Sequence, residues 1–282
     1  MIVKCDWFEV AIKSWRKFGD TEQKLVGNIT GLDSSLFVVD KGYGGYRYRL
    51  EYDGIHLLYE SSSPYAGVKL RMSGEGMETF RTRSAYSFDQ LVHSTALHTD
   101  VSSSRLDMCV DDFSGKFAVE HLLGELMQGR LSTRIRRSYP FFGVDNSTGD
   151  ISGMTIYHGE KTSEKRYYAY DKVAEREEHE VTLPDGVTNW LRYEGRFRRR
   201  VASDILECAV QTGRDVHLVF LDKLFSDLSW KTPNGDTNRS RWPESDWWRD
   251  FKERAYASVN DKSPTAFTVE DSGGQWEPLA VV

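Results

Sequence analysis

The sequence predicts an α+β protein in which antiparallel β-sheets are backed by helices. Two aromatic-rich runs, Tyr46 to Tyr52 and Ile55 to Tyr59, flank Asp53-Gly54. An Asp-Gly pair between strand-like runs is a strong hairpin signal, because both turn positions favour a positive φ. From Val201 onward the apolar spacing becomes helical, which predicts a helical C-terminal segment. Strands around a helix occur in both halves of the chain, so a weak internal duplication is one interpretation.

The other elements follow from periodicity along the chain. Alternating apolar and polar residues predict strands, and apolar residues three or four positions apart predict helices. The predicted strands are Lys4 to Lys13, Val68 to Ser73, Arg105 to Asp112, Ser132 to Phe142, Met154 to His158, Arg166 to Lys172 and Trp190 to Arg198. The predicted helices are Phe88 to Leu97, Phe117 to Met127, Val216 to Leu228 and Ser245 to Ala255. We expect a first domain over residues 1–200, a helical region over 201–257 and a tail over 258–282.

Composition restricts the class of protein. The chain has 282 residues, of which 39% are hydrophobic and 13% aromatic, and this supports a sizeable core. No apolar run has the length of a membrane span, and the N-terminus lacks the layout of a signal peptide. The cysteines Cys5, Cys109 and Cys208 are few, distant and odd in number, which indicates buried thiols rather than disulfides or a zinc site. We therefore expect a cytoplasmic protein.

The distribution of charge along the sequence is compatible with a localised site that binds a polyanion. The net charge of -6 counts against a protein that coats nucleic acid non-specifically. Arginines nevertheless cluster within residues 130–137 and again within 192–200. A single arginine cluster is often only a solvated surface, but two clusters that flank one candidate site favour polyanion binding.

The stretch from Gly159 to Arg176 carries the clearest chemical signal. On a strand, Arg166, Tyr168, Tyr170 and Lys172 share one face, because side chains alternate with period two. Cations beside a tyrosine can hold phosphate oxygens and favour the phenolate, so that the phenol oxygen becomes a nucleophile. The alternative is that these aromatic residues simply suit a strand, as most strand tyrosines do.

Carboxylates on two other predicted strands are candidate metal ligands. Asp107 and Asp111 lie on one face of the strand from Arg105 to Asp112, and Glu194 shares a strand face with arginines. Carboxylate oxygens are the ligands that Mg²⁺ and Mn²⁺ prefer. The alternatives are that the aspartates end the strand and cap a helix, and that Glu194 is an ion-pair partner. His158 lies near the candidate site, where a structural role is the more common one for a lone histidine.

Three motifs occur in order: SRLDMCVDD (Ser104 to Asp112), GMTIYHGEKTSEKRYYAYDKVAE (Gly153 to Glu175) and WLRYEGRFRRR (Trp190 to Arg200). Together they resemble the rolling-circle replication initiator family of Gram-positive plasmids and filamentous phages, the Rep_trans family. The matching residues are Thr155, Ile156, Tyr157, Gly159, Ser163, Tyr170, Asp171, Lys172, Glu175, Arg192 and Glu194. A weaker N-terminal resemblance covers Asp6, the hairpin from Tyr46 to Tyr59 and the run from Ser73 to Phe80, so the similarity spans roughly residues 1 to 215. Two departures are Cys109 in place of a small alanine and Tyr168 at a site that is often aliphatic.

The resemblance implies an activity and a set of roles. A tyrosine of this family nicks one DNA strand at the double-strand origin, keeps a 5′-phosphotyrosyl bond and frees a 3′-OH primer. The family's motif places this nucleophile on Tyr170, with Lys172 or Arg166 assisting at the phosphate. The family requires Mg²⁺ or Mn²⁺, and the resemblance places its carboxylate ligands on Asp107 and Glu194, with Asp111 or Asp112 as a further candidate.

The resemblance also implies partners. We expect single-stranded or hairpin-extruded origin DNA as substrate, a host helicase and a homodimer, with no membrane. Residues 1–200 would be the nicking domain, and 201–257 would serve origin recognition or dimerisation. Aromatic residues expected to be exposed, such as Tyr167, Tyr168 and Trp190, would stack on the bases.

Two other functions stay open at this point. One is a nucleic-acid-binding regulator without catalysis, in which Tyr170 and the carboxylates are structural. The other is a conjugative relaxase, whose chemistry is the same and whose biological setting differs.

Overall fold

The computed structural model of the protein describes residues 1–15, 21–61, 63, 66–98 and 100–260. The strands are β1 (Ile2–Ile12), β2 (Val38–Lys41), β3 (Tyr46–Tyr52), β4 (Ile55–Ser61), β5 (Val68–Met72), β6 (Val101–Asp112), β7 (Leu131–Thr133), β8 (Ser138–Val144), β9 (Ile151–His158), β10 (Lys165–Asp171), β11 (Leu191–Arg198) and β12 (Leu228–Trp230). The helices are α1 (Glu22–Thr30), α2 (Gly74–Arg83), α3 (Phe88–Ala96), α4 (Val119–Met127), α5 (Lys172–Glu178), α6 (Arg199–Thr212), α7 (Val216–Asp227) and α8 (Asp246–Asn260). None of the described helices has both the length and the apolar character needed to cross a membrane.

The chain folds into two compact units that are discontinuous in sequence. The first, here named the Tyr170 unit, has 1–4, 108–196 and 217–260 as its described residues. The second, the Trp7 unit, has its described residues within 5–107 and 197–216. The boundary expected at residue 200 stays a prediction. The tail expected over 258–282 lies outside the described residues from position 261 on.

In the Trp7 unit, the sheet order is β2-β3-β4-β5-β1-β6. The Asp-Gly hairpin is confirmed: β3 and β4 are antiparallel, with Asp53 at φ 39° and Gly54 at φ 80°. One side of the sheet is apolar and fully buried, as Phe8, Val10 and Leu70 show. Helix α2 packs on β4 and β5, and α1 packs on α3. Burial of this apolar side is the main source of stability of the unit.

In the Tyr170 unit, the order is β6-β11-β10-β9-β8, and β7 pairs with β12 in a separate two-stranded sheet. Tyr193 of β11 packs on Trp248 and Phe251 of α8, with ring centroids 5.6 and 5.7 Å away. Phe225 of α7 joins the same cluster, 5.2 Å from Trp248. The helices therefore cover one side of this sheet, and the α+β class predicted from the sequence is confirmed.

Several local expectations differ from the structure. The single strand expected over Ser132 to Phe142 is two strands, β7 and β8, which pair with different partners. Helix α2 begins at Gly74 and was not predicted, because Gly74 and Gly76 are residues that disfavour a helix. Its Gly76 is required because a Cβ there would collide with the carbonyl oxygen of Gly54. Cys5 and Cys109 are buried as expected, but Cys208 is exposed on α6.

Candidate functional site

Strand β10 presents its side chains alternately to the two sides of the sheet. Tyr168 is paired with Tyr157 of β9, and Tyr170 lies two residues farther on the same side. Tyr167 faces the helices, where its hydroxyl donates to the Asp227 carboxylate over 2.6 Å. The arrangement agrees with the two faces predicted for this strand.

Tyr170 and Glu194 are brought together by the pairing of β10 with β11. The Tyr170 hydroxyl donates to Oε2 of Glu194 over 3.2 Å, and the two residues are 4% and 7% exposed. Nη2 of Arg196 lies 3.9 Å from the other oxygen, Oε1. A carboxylate that accepts from a phenol is placed to take its proton, and a nearby cation stabilises the anion that forms.

Cations lie over the tyrosine rings beside this pair. Cζ of Arg166 is 4.2 Å from the ring centroid of Tyr157 and 5.4 Å from that of Tyr168. Cζ of Arg196 is 5.1 Å from the Tyr168 ring. Burial raises the pKa of Tyr157, so this hydroxyl stays protonated. The Tyr170 face is defined as Tyr157, Arg166, Tyr168, Tyr170, Glu194 and Arg196.

Lys172 begins helix α5 and does not continue the strand, so the expected end of β10 is wrong by one residue. The carboxylate of Asp171 ends the strand and caps the helix by accepting from the backbone N–H groups of Val173 and Ala174. Nζ of Lys172 pairs with Glu175 over 2.8 Å and lies 6.0 Å from the Tyr170 ring centroid. The ammonium group thus stays near the phenol even though its backbone is helical.

Asp111 lies in a buried ion pair. Nε and Nη2 of Arg192 donate to its two oxygens over 2.6 and 2.9 Å, and Nζ of Lys4 is 3.7 Å away. Burial by itself would raise the pKa of the Asp111 carboxyl, but Arg192 and Lys4 hold it below its ordinary value. Since both oxygens already accept strong hydrogen bonds, these contacts favour a structural role for Asp111. Asp112 is likewise held by Arg254 of α8, over 2.8 and 2.9 Å.

Asp107 belongs to the Trp7 unit, where it pairs with Arg105. Nε and Nη2 of Arg105 donate to its Oδ2 over 3.0 and 2.6 Å. Asp107 is buried, whereas the Arg105 side chain is 23% exposed. Nε of Arg105 also donates to Oδ1 over 3.1 Å, so both oxygens of Asp107 accept from this arginine. Carboxylates are the donors that Mg²⁺ and Mn²⁺ prefer, so Asp107 and Glu194 each suit such an ion by donor type, and the metal assignment stays a prediction.

The aromatic residues expected to be exposed are buried. Tyr167, Tyr168 and Trp190 are 0%, 2% and 2% exposed, so none of them offers a free ring face to a base. Tyr167 faces α7, and arginines cover Tyr168. Phe141 of β8 is instead 42% exposed, and its ring lies 5.4 Å from that of Tyr157. Phe141 is thus the aromatic residue beside the Tyr170 face that offers surface for stacking.

The surroundings of His158 are those of a histidine packed in the core, which is the more common case for a lone histidine. It is fully buried, with Nδ1 2.8 Å from Oγ of Ser138 and its ring 6.2 Å from that of Trp230. Burial lowers its pKa to about 4, so the imidazole is neutral near pH 7.

Arg196, Tyr157 and Lys4 make contacts in or beside the site for which no role was predicted from the sequence. Arg196 shares the strand face of Glu194, so period two was a usable signal for it. Tyr157 becomes part of the site through the register of β9 against β10. Lys4 reaches Asp111 from the first residues of the chain, and no local pattern indicates such a contact.

Comparisons with known proteins agree on a family. The model of a family described as replication initiation factor matches residues 101–274. A protein of Bacillus subtilis (strain 168), named "Putative DNA relaxase NicK", is 28% identical over 227 residues. That match covers 77% of this chain and 63% of the relative, so the chain spans less than two thirds of the relative's length.

A solved structure shares the fold. The rolling circle replication initiator protein from Geobacillus stearothermophilus superposes with a TM-score of 0.76 at 21% identity, over 90% of this chain and 96% of that one. The family match contains all three sequence motifs and extends over more than half of this chain. On this basis the chain belongs to the replication initiation factor family.

Proposed function

We propose that this protein nicks one strand of origin DNA by transesterification, with Tyr170 as the nucleophile. The observation that carries the proposal is the 3.2 Å hydrogen bond from the Tyr170 hydroxyl to Glu194, beside the guanidinium group of Arg196. The names of the two similar proteins, a DNA relaxase and a rolling circle replication initiator, support DNA as the substrate.

The reaction exchanges one ester bond for another. The Tyr170 oxygen attacks the phosphorus of the scissile phosphodiester, and its proton passes to the Glu194 carboxylate. A bond forms between the tyrosine oxygen and phosphorus, and the bond from phosphorus to the 3′ oxygen breaks. The 3′ oxygen takes up a proton and becomes the free 3′-OH. The 5′-phosphotyrosyl ester retains the phosphodiester's energy, so religation requires no nucleotide cofactor.

Charge on the phosphate is neutralised by cations. A bound Mg²⁺ or Mn²⁺ with Glu194 among its ligands would stabilise the charge that develops on the non-bridging oxygens. Arg166, half-buried between Tyr157 and Tyr168, is placed to orient the phosphate group. Lys172 would exchange its Glu175 partner for a phosphate oxygen. The scissile strand must be unpaired to reach a nearly buried hydroxyl, and Phe141 offers a surface for a flanking base.

The same nick serves more than one biological setting. Plasmid replication and conjugative transfer use the same nick, and the two similar proteins are named for different processes. The host helicase, the homodimer and a role of residues 201–257 in origin recognition stay predictions.

A covalent-adduct assay tests the nucleophile. The full chain is incubated with Mn²⁺ and an origin oligonucleotide that traps the adduct after cleavage, and mass spectrometry identifies the linked residue. We expect the DNA on Tyr170, and we expect Tyr170→Phe to abolish the adduct while DNA binding persists. The single lost oxygen removes the nucleophile but leaves the ring that packs in the sheet.

Tyr168→Phe is the matched control, because it deletes a phenol oxygen from the same strand face. It should form adduct in nearly normal yield. An undiminished adduct in Tyr170→Phe, linked to any other residue, refutes the assignment. Absence of adduct from the parent protein on every origin substrate, with DNA binding intact, favours the regulator without catalysis.

A further inference from the structure

A second series of cations and aromatic rings lies within the Trp7 unit, on the side of the sheet opposite its apolar core. The fully buried side chains of Phe8, Val10 and Met72 alternate with half-buried Trp7 on β1 and Arg71 on β5. The series, defined as the Trp7 face, consists of Trp7, Tyr43, Arg49, Arg71 and Arg105. It contains no residue of the Tyr170 face, and its Arg105 pairs with Asp107, one of the predicted metal ligands.

Rings and guanidinium groups alternate along this face. Cζ of Arg105 lies 3.9 Å from the Trp7 ring centroid, and Cζ of Arg71 lies 4.5 Å from it. Arg71 is also 5.4 Å from the ring of Tyr43, and Arg49 is 5.9 Å from that ring. Each such contact is attractive, because a cation interacts with the negative face of an aromatic ring. The result is a row of planar groups from β6, β1, β5, β3 and the loop before β3, and it passes over β4, which lies between β5 and β3.

The charges of this row are largely compensated. Nη2 of Arg49 is 2.6 Å from Asp40, and Nε of Arg71 is 4.0 Å from Glu9. Affinity for duplex DNA comes mainly from cations that neutralise phosphates, and compensated cations supply little of it. Planar rings and guanidinium groups instead suit unpaired bases, which every sequence offers for stacking.

The row is also open to a ligand. The side chains of Arg49, Arg71 and Arg105 are 22%, 24% and 23% exposed. A base can therefore stack on the exposed parts of these guanidinium groups, which in turn lie over the rings of Trp7 and Tyr43.

We propose that the Trp7 face binds the bases of single-stranded DNA. The choice of DNA rests on the proposed nicking function, since a nicked origin exposes an unpaired strand. The stacking surface itself follows from the geometry of the Trp7 unit. It would hold a stretch of the displaced or extruded strand without reading its sequence.

Binding of an oligothymidylate tests this proposal. A length of about ten nucleotides lies within the usual site size of surfaces that bind single strands. The full chain carries Tyr170→Phe, and EDTA is present, so that no nicking occurs. Trp7→Ala and Arg71→Gln should each weaken binding about tenfold, the effect of roughly one stacked base. Trp7→Phe retains a ring and should stay within about threefold of the parent protein. A halogenated uracil in the oligonucleotide should crosslink to Trp7 or Tyr43.

Arg83→Ala is the matched control in the same unit. Arg83 stacks on Tyr52 with Cζ 5.8 Å from the ring, but it belongs to helix α2 and not to the Trp7 face. Its loss removes one positive charge and one arginine–tyrosine contact, and binding should not change. Thermal unfolding establishes whether each variant is folded. If Trp7→Ala does not fold, the oligonucleotide affinity of Arg71→Gln decides the outcome.

Three results would overturn the proposal. They are unchanged affinity in both Trp7→Ala and Arg71→Gln, crosslinks confined to residues of the Tyr170 unit, or a duplex that competes as well as the single strand. None of them bears on nicking, which the adduct assay with intact Tyr170 and Mn²⁺ measures separately.

Discussion

The Tyr170 face and the Trp7 face are built in the same way and differ in what their carboxylates contact. Both place arginines over aromatic rings on the side of a sheet that is opposite an apolar core. On the Tyr170 face, Glu194 accepts a hydrogen bond from a phenol over 3.2 Å. On the Trp7 side, Glu9 accepts from the ammonium group of Lys69 over the same distance and from the aliphatic hydroxyl of Ser104.

The partners of these two carboxylates distinguish a face suited to catalysis from a face suited to binding. A carboxylate that faces a phenol can take its proton and so activate it, because a phenol is far more acidic than the aliphatic hydroxyl of a serine. A carboxylate that faces an ammonium group only compensates charge. Rows of cations and rings are therefore not by themselves evidence of catalysis. The partner of the nearest carboxylate is the feature that distinguishes the two faces.

The ion pairs of β6 should give the largest difference between the units. Arg192→Leu leaves Asp111 charged and buried, and should lower the free energy of unfolding by about 3–5 kcal/mol. Arg105→Leu should cost less, roughly 1–2 kcal/mol, because that arginine is partly exposed. Denaturant unfolding of both variants measures the two losses. Equal losses would show that burial does not distinguish the pairs.

Acid stability should depend on His158 of the Tyr170 unit. Its folded pKa of about 4 lies below the ordinary value of about 6.5, so the unfolded chain binds a proton that the folded chain does not. The protein should therefore lose about 3 kcal/mol as the pH falls from about 6.5 to about 4. His158→Gln should remove this loss, as followed by unfolding at several pH values.

His56 of the Trp7 unit is the control for this pH dependence. Burial lowers its pKa as well, but the ring is only half-buried and bonded to the Tyr43 hydroxyl over 2.7 Å. His56→Gln should leave most of the acid sensitivity in place. If the free energy of unfolding falls with decreasing pH at the same slope in the His158 and His56 variants, the contrast between the two histidines is wrong.

Glu194→Gln tests the catalytic contrast. Removal of a proton acceptor commonly slows a reaction by about a hundredfold or more, and adduct formation should slow to that extent. Glu9→Gln is the matched change on the Trp7 side and should leave the rate within a few fold. Single-turnover adduct formation in Mn²⁺ measures both rates. A normal rate in Glu194→Gln would remove the chemical distinction between the faces.

Arg49→Gln should give the smallest effect. Its partner Asp40 is half exposed, and such ion pairs contribute about 0–1 kcal/mol to stability. Thermal unfolding should detect little change, although oligonucleotide binding should weaken. A large loss of stability would mean that the row on the Trp7 face is structural and not a binding surface.

The sequence by itself determined which side chains share a strand face. Period two placed Tyr168 with Tyr170 on β10 and Arg192 with Glu194 on β11, and the Asp53-Gly54 pair located a hairpin. Ordered motifs predicted the family that the comparisons show. These features are local, because the geometry of a strand or a two-residue turn depends on neighbouring residues alone.

Only the tertiary structure decided the partners and the burial of those side chains. Asp111 is bound by Arg192 from far along the chain and by Lys4 from its start, although its position alone suited a metal ligand equally well. Tyr168 and Trp190 are buried, whereas Phe141 is exposed. Partners and burial depend on which strands pair, in which register, and on which side the helices pack. Contacts between residues so distant in sequence leave no periodic signal along the chain.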